Sequence, residues 1–248
     1  MKLLVDIGNT RIKWATEINS VLGLQGAFQY RYTELSELFD EHWKSAPLPE
    51  QVLVSCVAGE DVRDALTGWV AETWNVKTRT AKVERCACGV TNGYHDIEQL
   101  GVDRWLAVIA AWNRFKSPLC VADCGTAITI DGINSDGQHQ GGLIIPGLAM
   151  MQGALNREIC GIEVENTNGI ALEFGRDTQT GISNGCSFAA VALIDRVVKK
   201  MHAEMGDELT YVITGGAAQQ FSPFLANNFL IEPQLVLYGL SRLFRGQP

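Results

Sequence analysis

A chain of 248 residues, 46% of them apolar, has enough material to bury a substantial core in one large domain or in two of about 100–130 residues each. Its formal charge of −8 argues against nucleic acid as a partner, because phosphate-backbone contacts need clustered Lys and Arg; an anionic ligand would have to be held by backbone amides, single cations and metal. No apolar run approaches the roughly 20 residues that cross a bilayer and Met1-Lys2 leads straight into a strand rather than a leader, so a cytoplasmic protein with no membrane association is expected.

Residues 2–7 and 11–16 read as a hairpin turned by Gly8-Asn9-Thr10, with a third strand expected at 26–32. A helix should start at Thr33 and run to about Lys44, where Pro47 and Pro49 end it. The short apolar run 51–57 predicts a buried strand, followed by a helix over about 60–73 and a strand beginning at Lys77. Residues 86–99 are rich in turn formers. The segment 101–112 then predicts a helix in which Trp105, Val108, Ile109 and Trp112 make one apolar face. Strands follow at 119–123 and 127–133, a Gly-rich return through Asp136-Gly137, the run Gly141 to Gly147, and a helix over about 148–158. A long helix over about 178–204, expected to break near Gly185, precedes a strand at 209–216 and a closing helix at about 235–244. Strands alternate with helices in both halves, the pattern of an α/β fold.

One pattern occurs twice. Leu4-Val5-Asp6-Ile7-Gly8-Asn9-Thr10 and Cys120-Val121-Ala122-Asp123-Cys124-Gly125-Thr126 both read as an apolar strand, Asp-x-Gly and small polar residues, with the Asp and Gly offset by 117. Such an echo suggests two duplicated domains, 1–117 and 118–248. No Pro-, Gly- or Ser-rich linker separates them, so the halves are expected to pack as one body with a cleft.

Each candidate group has a plain structural reading beside its chemical one. An Asp at a strand end, such as Asp6, can simply accept turn N–H groups; with Gly8, Asn9, Thr10 and Lys13 beside it, it also has the parts to bind a nucleotide's phosphates, the carboxylate holding Mg²⁺ and the lysine countering charge. Asp123, Gly125 and Thr126 form either an ordinary hairpin turn or the opposing phosphate-binding turn, where Asp123 holds a cation. Thr214-Gly215-Gly216 would let a flat base or ribose approach the backbone. Asp103 in a first helical turn meets the positive end of the helix dipole without further purpose. With Arg104 for a carboxylate and Tyr94 and Gly101 just upstream, it also suits a site that deprotonates the hydroxyl of a small acid. The seven cysteines form no paired framework, as in a reducing compartment. Cys86-Ala87-Cys88 lacks a second ligand pair, and His42, His95, His139 and His202 are isolated, so the thiols are expected as buried or half-buried side chains rather than zinc ligands.

Together, Asp6-x-Gly8-Asn9-Thr10, Gly93-Tyr94, Leu100-Gly101-Val102-Asp103-Arg104-Trp105, Asp123-Cys124-Gly125-Thr126, Gly141-Gly142-x-Ile144-x-Pro146-Gly147, Gly175-Arg176-Asp177-Thr178 and Thr214-Gly215-Gly216 closely resemble the type III pantothenate kinase family. The resemblance implies duplicated ribonuclease-H-like domains of the sugar kinase, actin and heat-shock ATPase superfamily with an interdomain cleft, and transfer of the ATP γ-phosphoryl group to the 4′-hydroxyl of pantothenate, the first step toward coenzyme A. It further implies that Asp6 through Lys13 bind ATP phosphates with Mg²⁺ on Asp6, that Asp103 accepts the hydroxyl proton, and that Tyr94, Gly101, Val102, Arg104 and Thr178 line the pantothenate pocket. By the same likeness Asp123 binds a monovalent cation, K⁺ or NH₄⁺, while Gly125, Thr126, Thr214, Gly215 and Gly216 contact ATP. A homodimer whose pocket is completed by the second subunit is implied, with Thr178 reaching across. Where relatives often carry a proline after the Gly-Tyr pair, this chain has His95-Asp96-Ile97-Glu98. A kinase for another small hydroxy acid, or a nucleotide-dependent accessory regulator with little turnover, are the alternatives.

Overall fold

In the computed structural model, which describes residues 1–30, 33–159, 169–206 and 208–245, β1 (Lys2–Ile7) turns through Gly8-Asn9-Thr10 into β2 (Arg11–Ile18), and β3 (Val21–Gln29) follows. β3 begins earlier than the expected 26–32 because Asn19 and Ser20 both take positive φ, 51° and 65°, closing a two-residue turn between the paired Ile18 and Val21; residues 31 and 32 lie outside the described residues. Next come α1 (Leu35–Trp43), β4 (Gln51–Cys56), α2 (Glu60–Trp74) and β5 (Thr78–Thr80). They complete a sheet of order β3-β2-β1-β4-β5, antiparallel from β3 to β1 and parallel from β1 to β5.

Alternation along β1 sends Leu3, Val5 and Ile7 into a core with Phe39 and Trp43 of α1 and Leu66, Trp69 and Val70 of α2, and turns Leu4 and Asp6 to the other face. The Trp69 indole N–H donates to Asp40 Oδ1 at 2.8 Å and joins the two helices. The turn-rich stretch after β5 contains a small hairpin, β6 (Cys86–Ala87) with β7 (Val90–Thr91), and a 3₁₀ turn at Ile97–Gln99. α3 (Val102–Phe115) follows. Its burial is wider than the single apolar face expected from the spacing of its tryptophans. Every residue from Arg104 to Trp112 is buried, as in a helix covered on all sides.

The pattern then repeats. β8 (Leu119–Cys124), β9 (Ala127–Ile133), β10 (His139–Pro146), α4 (Leu148–Glu158), α5 (Thr178–Met205), β11 (Thr210–Thr214), α6 (Ala218–Phe221) and β12 (Leu230–Ile231) include a sheet of order β10-β9-β8-β11-β12. Strand for strand and in direction this matches the first sheet. Cys120, Ala122 and Cys124 of β8 and Ile128 and Ile130 of β9 pack on Ala190, Val191 and Ile194 of α5 and on Phe221. α5 runs without the expected break at Gly185. A mid-helix glycine costs only about 1 kcal/mol, which the buried row Ala190, Val191, Ile194, Val197 and Val198 outweighs. Among the described helices α5 alone is long and apolar enough to cross a membrane, and 44% of its most apolar window is buried inside the fold.

The closing helix, α7 (Leu235–Leu243), packs on β1, β2 and β4. A Cβ at Gly239 would drive into the Leu106 carbonyl, so α7 lies directly on α3, and Arg242 Nε donates to Asn113 Oδ1 at 3.1 Å. The two compact units are thus Met1–Asn113 with Gln234–Pro248, and Arg114–Pro233. This differs from a cut at 117/118 chiefly in that the last helix returns to the first unit.

Candidate active site

In the first unit Asp6 stands one residue from the end of β1, 7% exposed, opposite Lys13 on β2 and beside Ser55 on β4. The turn after it is drawn tight by Gly8 N donating to Arg11 O at 3.0 Å. Tyr30 fixes it from outside, its hydroxyl donating to Gly8 O at 2.8 Å. Asn9 is exposed and Thr10 and Lys13 half-buried, so the polar groups of the turn face solvent while the carboxylate is sunk behind them. Among the described residues no group of three or more His, Cys, Asp or Glu side chains gathers to hold a metal. A carboxylate beside a glycine-bearing turn nonetheless fits Mg²⁺, which commonly takes one or two carboxylates and completes its shell with water and substrate phosphates.

At the mouth of α3, Asp103 Oδ1 accepts the Arg104 N–H at 2.8 Å, which leaves the half-buried carboxylate curled over the helix start. Gly101 makes this possible, since a Cβ there would stand 2.6 Å from Asp103 Oδ1. Arg104 is 5% exposed, and its Nη1 donates to the Tyr94 hydroxyl at 2.7 Å with the guanidinium carbon 5.5 Å from the ring centroid. Tyr94 is itself set by an Asx turn in which its N–H donates to Asn92 Oδ1 at 2.9 Å. Gly101, Asp103, Arg104 and Tyr94, expected as one pocket from their chemistry, therefore form one connected group: a planar cation suited to a carboxylate next to an acid suited to a hydroxyl proton.

The second unit repeats the turn with one residue fewer. Asp123 is again one from the strand end, opposite Thr129 and beside Thr214, and Gly125 N donates to Ala127 O at 3.1 Å. Two further segments meet it. Gly147 N donates to Thr126 O at 3.0 Å, and a Cβ on Gly147 would stand 2.5 Å from Gly125 O and Thr126 O. Gly215, at φ +94°, lies so close that a Cβ would collide with Asp123 Oδ1 and stand 2.6 Å from Cys124 O. A carboxylate and backbone carbonyls brought together where only glycine fits are oxygen donors of the kind a monovalent cation takes. Thr178 is exposed at the first position of α5, where Asp177 caps the helix by accepting the Thr180 N–H at 2.8 Å; that backbone hydrogen bond holds the Asp177 carboxyl below its ordinary value.

Residues 2–200 match the family model of type III pantothenate kinase. The chain belongs to the type III pantothenate kinase family. A type III pantothenate kinase of Nitrosococcus oceani is 39% identical over 98% of this chain and 93% of its own length, and one of Methylibium petroleiphilum is 35% identical over 96% of each. Among solved structures, a candidate Baf family transcriptional activator from Campylobacter jejuni superposes with a TM-score of 0.61 at 21% identity, covering 99% of this chain and 98% of that one. The ethanolamine utilization protein EutJ of Carboxydothermus hydrogenoformans gives 0.57 at 15% identity over 98% and 89%. At these identities the structural likeness speaks for the fold alone, a duplicated α/β architecture.

Within this type III pantothenate kinase fold, partners distant in sequence complete what the motifs begin. Tyr30 braces the first turn from 22 residues away, and Gly147 seats a third segment on the second turn. Gly147 carried a signal, the Gly141 to Gly147 run, whereas nothing around Tyr30 marked it. Burial, and then the Asp123 charge, push up the thiol of Cys124 beside it. Burial likewise pushes Cys120 up to about 12.

Proposed function

We propose that this chain transfers the γ-phosphoryl group of ATP to the 4′-hydroxyl of pantothenate. The observation that carries this reading is the group at the mouth of α3: a buried guanidinium hydrogen-bonded to a phenol, beside an acid whose carboxylate the glycine two residues earlier leaves room for. Arg104 and Tyr94 take the pantothenate carboxylate and its neighbouring polar groups, Gly101 and Val102 form the floor, and Asp103 accepts the hydroxyl proton as the new O–P bond forms and ADP departs. Phosphoryl transfer has a loose transition state, so positioning and charge neutralisation supply most of the acceleration. Gly8, Asn9, Thr10 and Lys13 receive ATP phosphates in the first unit, and Gly125 and Thr126 receive them in the second. Thr214, Gly215 and Gly216 meet the nucleoside. Asp6 holds Mg²⁺ and Asp123 holds K⁺ or NH₄⁺; when bound, these ions neutralise phosphate charge.

The working form in this reading is a cytoplasmic homodimer with Thr178 of each copy completing the other's pocket. Exposed apolar side chains in the second unit support it: Leu143 and Ile144 on β10, Met150 and Leu155 on α4, Phe188 on α5, and Phe174, wholly exposed just ahead of Thr178. Exposed apolar side chains, where they lie together, are what a second copy would cover. Mass spectrometry of the product formed from ATP and pantothenate tests the proposal. Phosphopantothenate is expected; phosphorylation of a different hydroxy acid with pantothenate left unchanged would replace the acceptor.

A further inference from the structure

Tyr94 sits on a segment that secondary structure does little to hold. The β6/β7 ladder ends at Thr91, and the segment Asn92-Gly93-Tyr94-His95-Asp96 contains a glycine and no proline, so its backbone is costly to order. Beyond the Asn92 Asx turn, one side chain from outside the segment ties its carbonyls together. Arg85, from the residue just before β6, donates through Nη1 to Asn92 O at 3.3 Å and to Tyr94 O at 2.9 Å, and through Nη2 to His95 O at 3.2 Å. Its own carbonyl accepts the Asn92 N–H at 2.8 Å. Tyr94 is thus gripped from both ends by arginines, its carbonyl by Arg85 and its hydroxyl by Arg104 at 2.7 Å.

Resting on the reading of Tyr94 and Arg104 as pantothenate ligands, we propose that Arg85 is a positioning residue of the acceptor pocket: it touches no substrate, and it fixes the backbone that delivers the Tyr94 phenol to Arg104. A rigid planar fork can serve three carbonyls at once, whereas a lysine ammonium acts as a point charge on a flexible stem. Arg85 is an exposed residue whose hydrogen bonds go to this loop, so its removal leaves the cores of both units as they are and releases the loop. The cost falls on acceptor binding. ATP binding, assigned to other turns, is spared.

Steady-state kinetics of the full-length enzyme test this with Arg85→Ala, Arg85→Lys, Tyr94→Ala and the double variant Arg85→Ala/Tyr94→Ala. Arg85→Ala is expected to raise KM for pantothenate about tenfold, the worth of a lost charge-assisted hydrogen bond, with kcat and KM for ATP within about twofold; Arg85→Lys should fall between it and the native enzyme. In the Tyr94→Ala background the Arg85 change should add nothing, because the two act as one unit. Equal losses in kcat, in both KM values and in melting temperature would overturn the proposal in favour of a merely structural role. So would an unchanged pantothenate KM in Arg85→Ala while Tyr94→Ala raises it. If Tyr94→Ala and Arg104→Lys also leave that KM unmoved, the acceptor-site reading itself fails, and the role of Arg85 with it.

Discussion

Gly101 and Asp103 are matched by exclusion: a single methyl on residue 101 would stand 2.6 Å from the Asp103 carboxylate. The helix therefore opens with a carboxylate folded back against its own first turn, its Oδ1 on the Arg104 N–H. Gly101→Ala must push that carboxylate aside. Misplacing a reacting group by about 1 Å can cost about a hundredfold in rate, so kcat should fall by one to two orders of magnitude while KM for ATP stays put, as coupled ADP-release assays would record.

Gly215 has a similar relation to Asp123, sharpened by its φ of +94°. Gly215→Ala is strained in the backbone and collides with the Asp123 carboxylate, so it closes the space assigned to the monovalent cation. The native enzyme should turn over faster in K⁺ or NH₄⁺ than in Na⁺ at equal ionic strength, and the variant should lose that preference along with most of its activity. Equal native rates in Na⁺ and K⁺ would remove the cation from Asp123.

Stability has its own test at the contact between α7 and α3. Gly239→Ala places a methyl against the Leu106 carbonyl, a backbone atom that has nowhere to go. Overpacking of this kind costs about 1–3 kcal/mol. Thermal unfolding should show the loss, and Gly185→Ala, where a Cβ would meet nothing within 4 Å, should leave stability equal or slightly raised.

The thiols divide by burial. Burial pushes Cys120 up to about 12, and Cys124 and Cys186 are raised for the same reason, whereas Cys86 is exposed. Since the thiolate is the reactive form, a disulfide reagent at pH 8 should, among the described thiols, label Cys86 first and reach Cys120 and Cys124 only on unfolding. Above the ordinary thiol value of 9.0 the folded chain keeps protons that the unfolded chain releases, so these groups make stability fall as pH rises from there toward about 12.

What could be read in the chain was local chemistry. Asp-x-Gly turns declare themselves because only a few residue types make such bends, and their recurrence at a fixed offset predicted two equivalent sheets, which the matching strand orders bear out. The Asp103 and Tyr94 groups were legible for the same reason, each lying within a short motif. Long-range packing was not. Nothing in residues 235–243 says that α7 returns to the first sheet, since that depends on Gly239 meeting Leu106 across the length of the chain. The Asn19-Ser20 turn was missed because it lacks the glycine that usually marks one, and Gly185 misled because core burial overrides a weak helix breaker. Arg85 and Tyr30 were invisible as site residues because their roles consist of carbonyls seven to 22 residues away.

In the proposed reaction Asp103 and its neighbours take pantothenate and deprotonate it for attack on ATP. ADP release in Mg²⁺ and K⁺ buffer, with and without pantothenate, for the native enzyme and for Asp103→Asn, measures it most directly. ADP release should depend on pantothenate in the native enzyme, and kcat should be lower by about 10²–10⁴ in the variant, the usual worth of a positioned base, with KM for ATP little changed. Native ADP release indifferent to pantothenate, or near-normal turnover by Asp103→Asn, would contradict it.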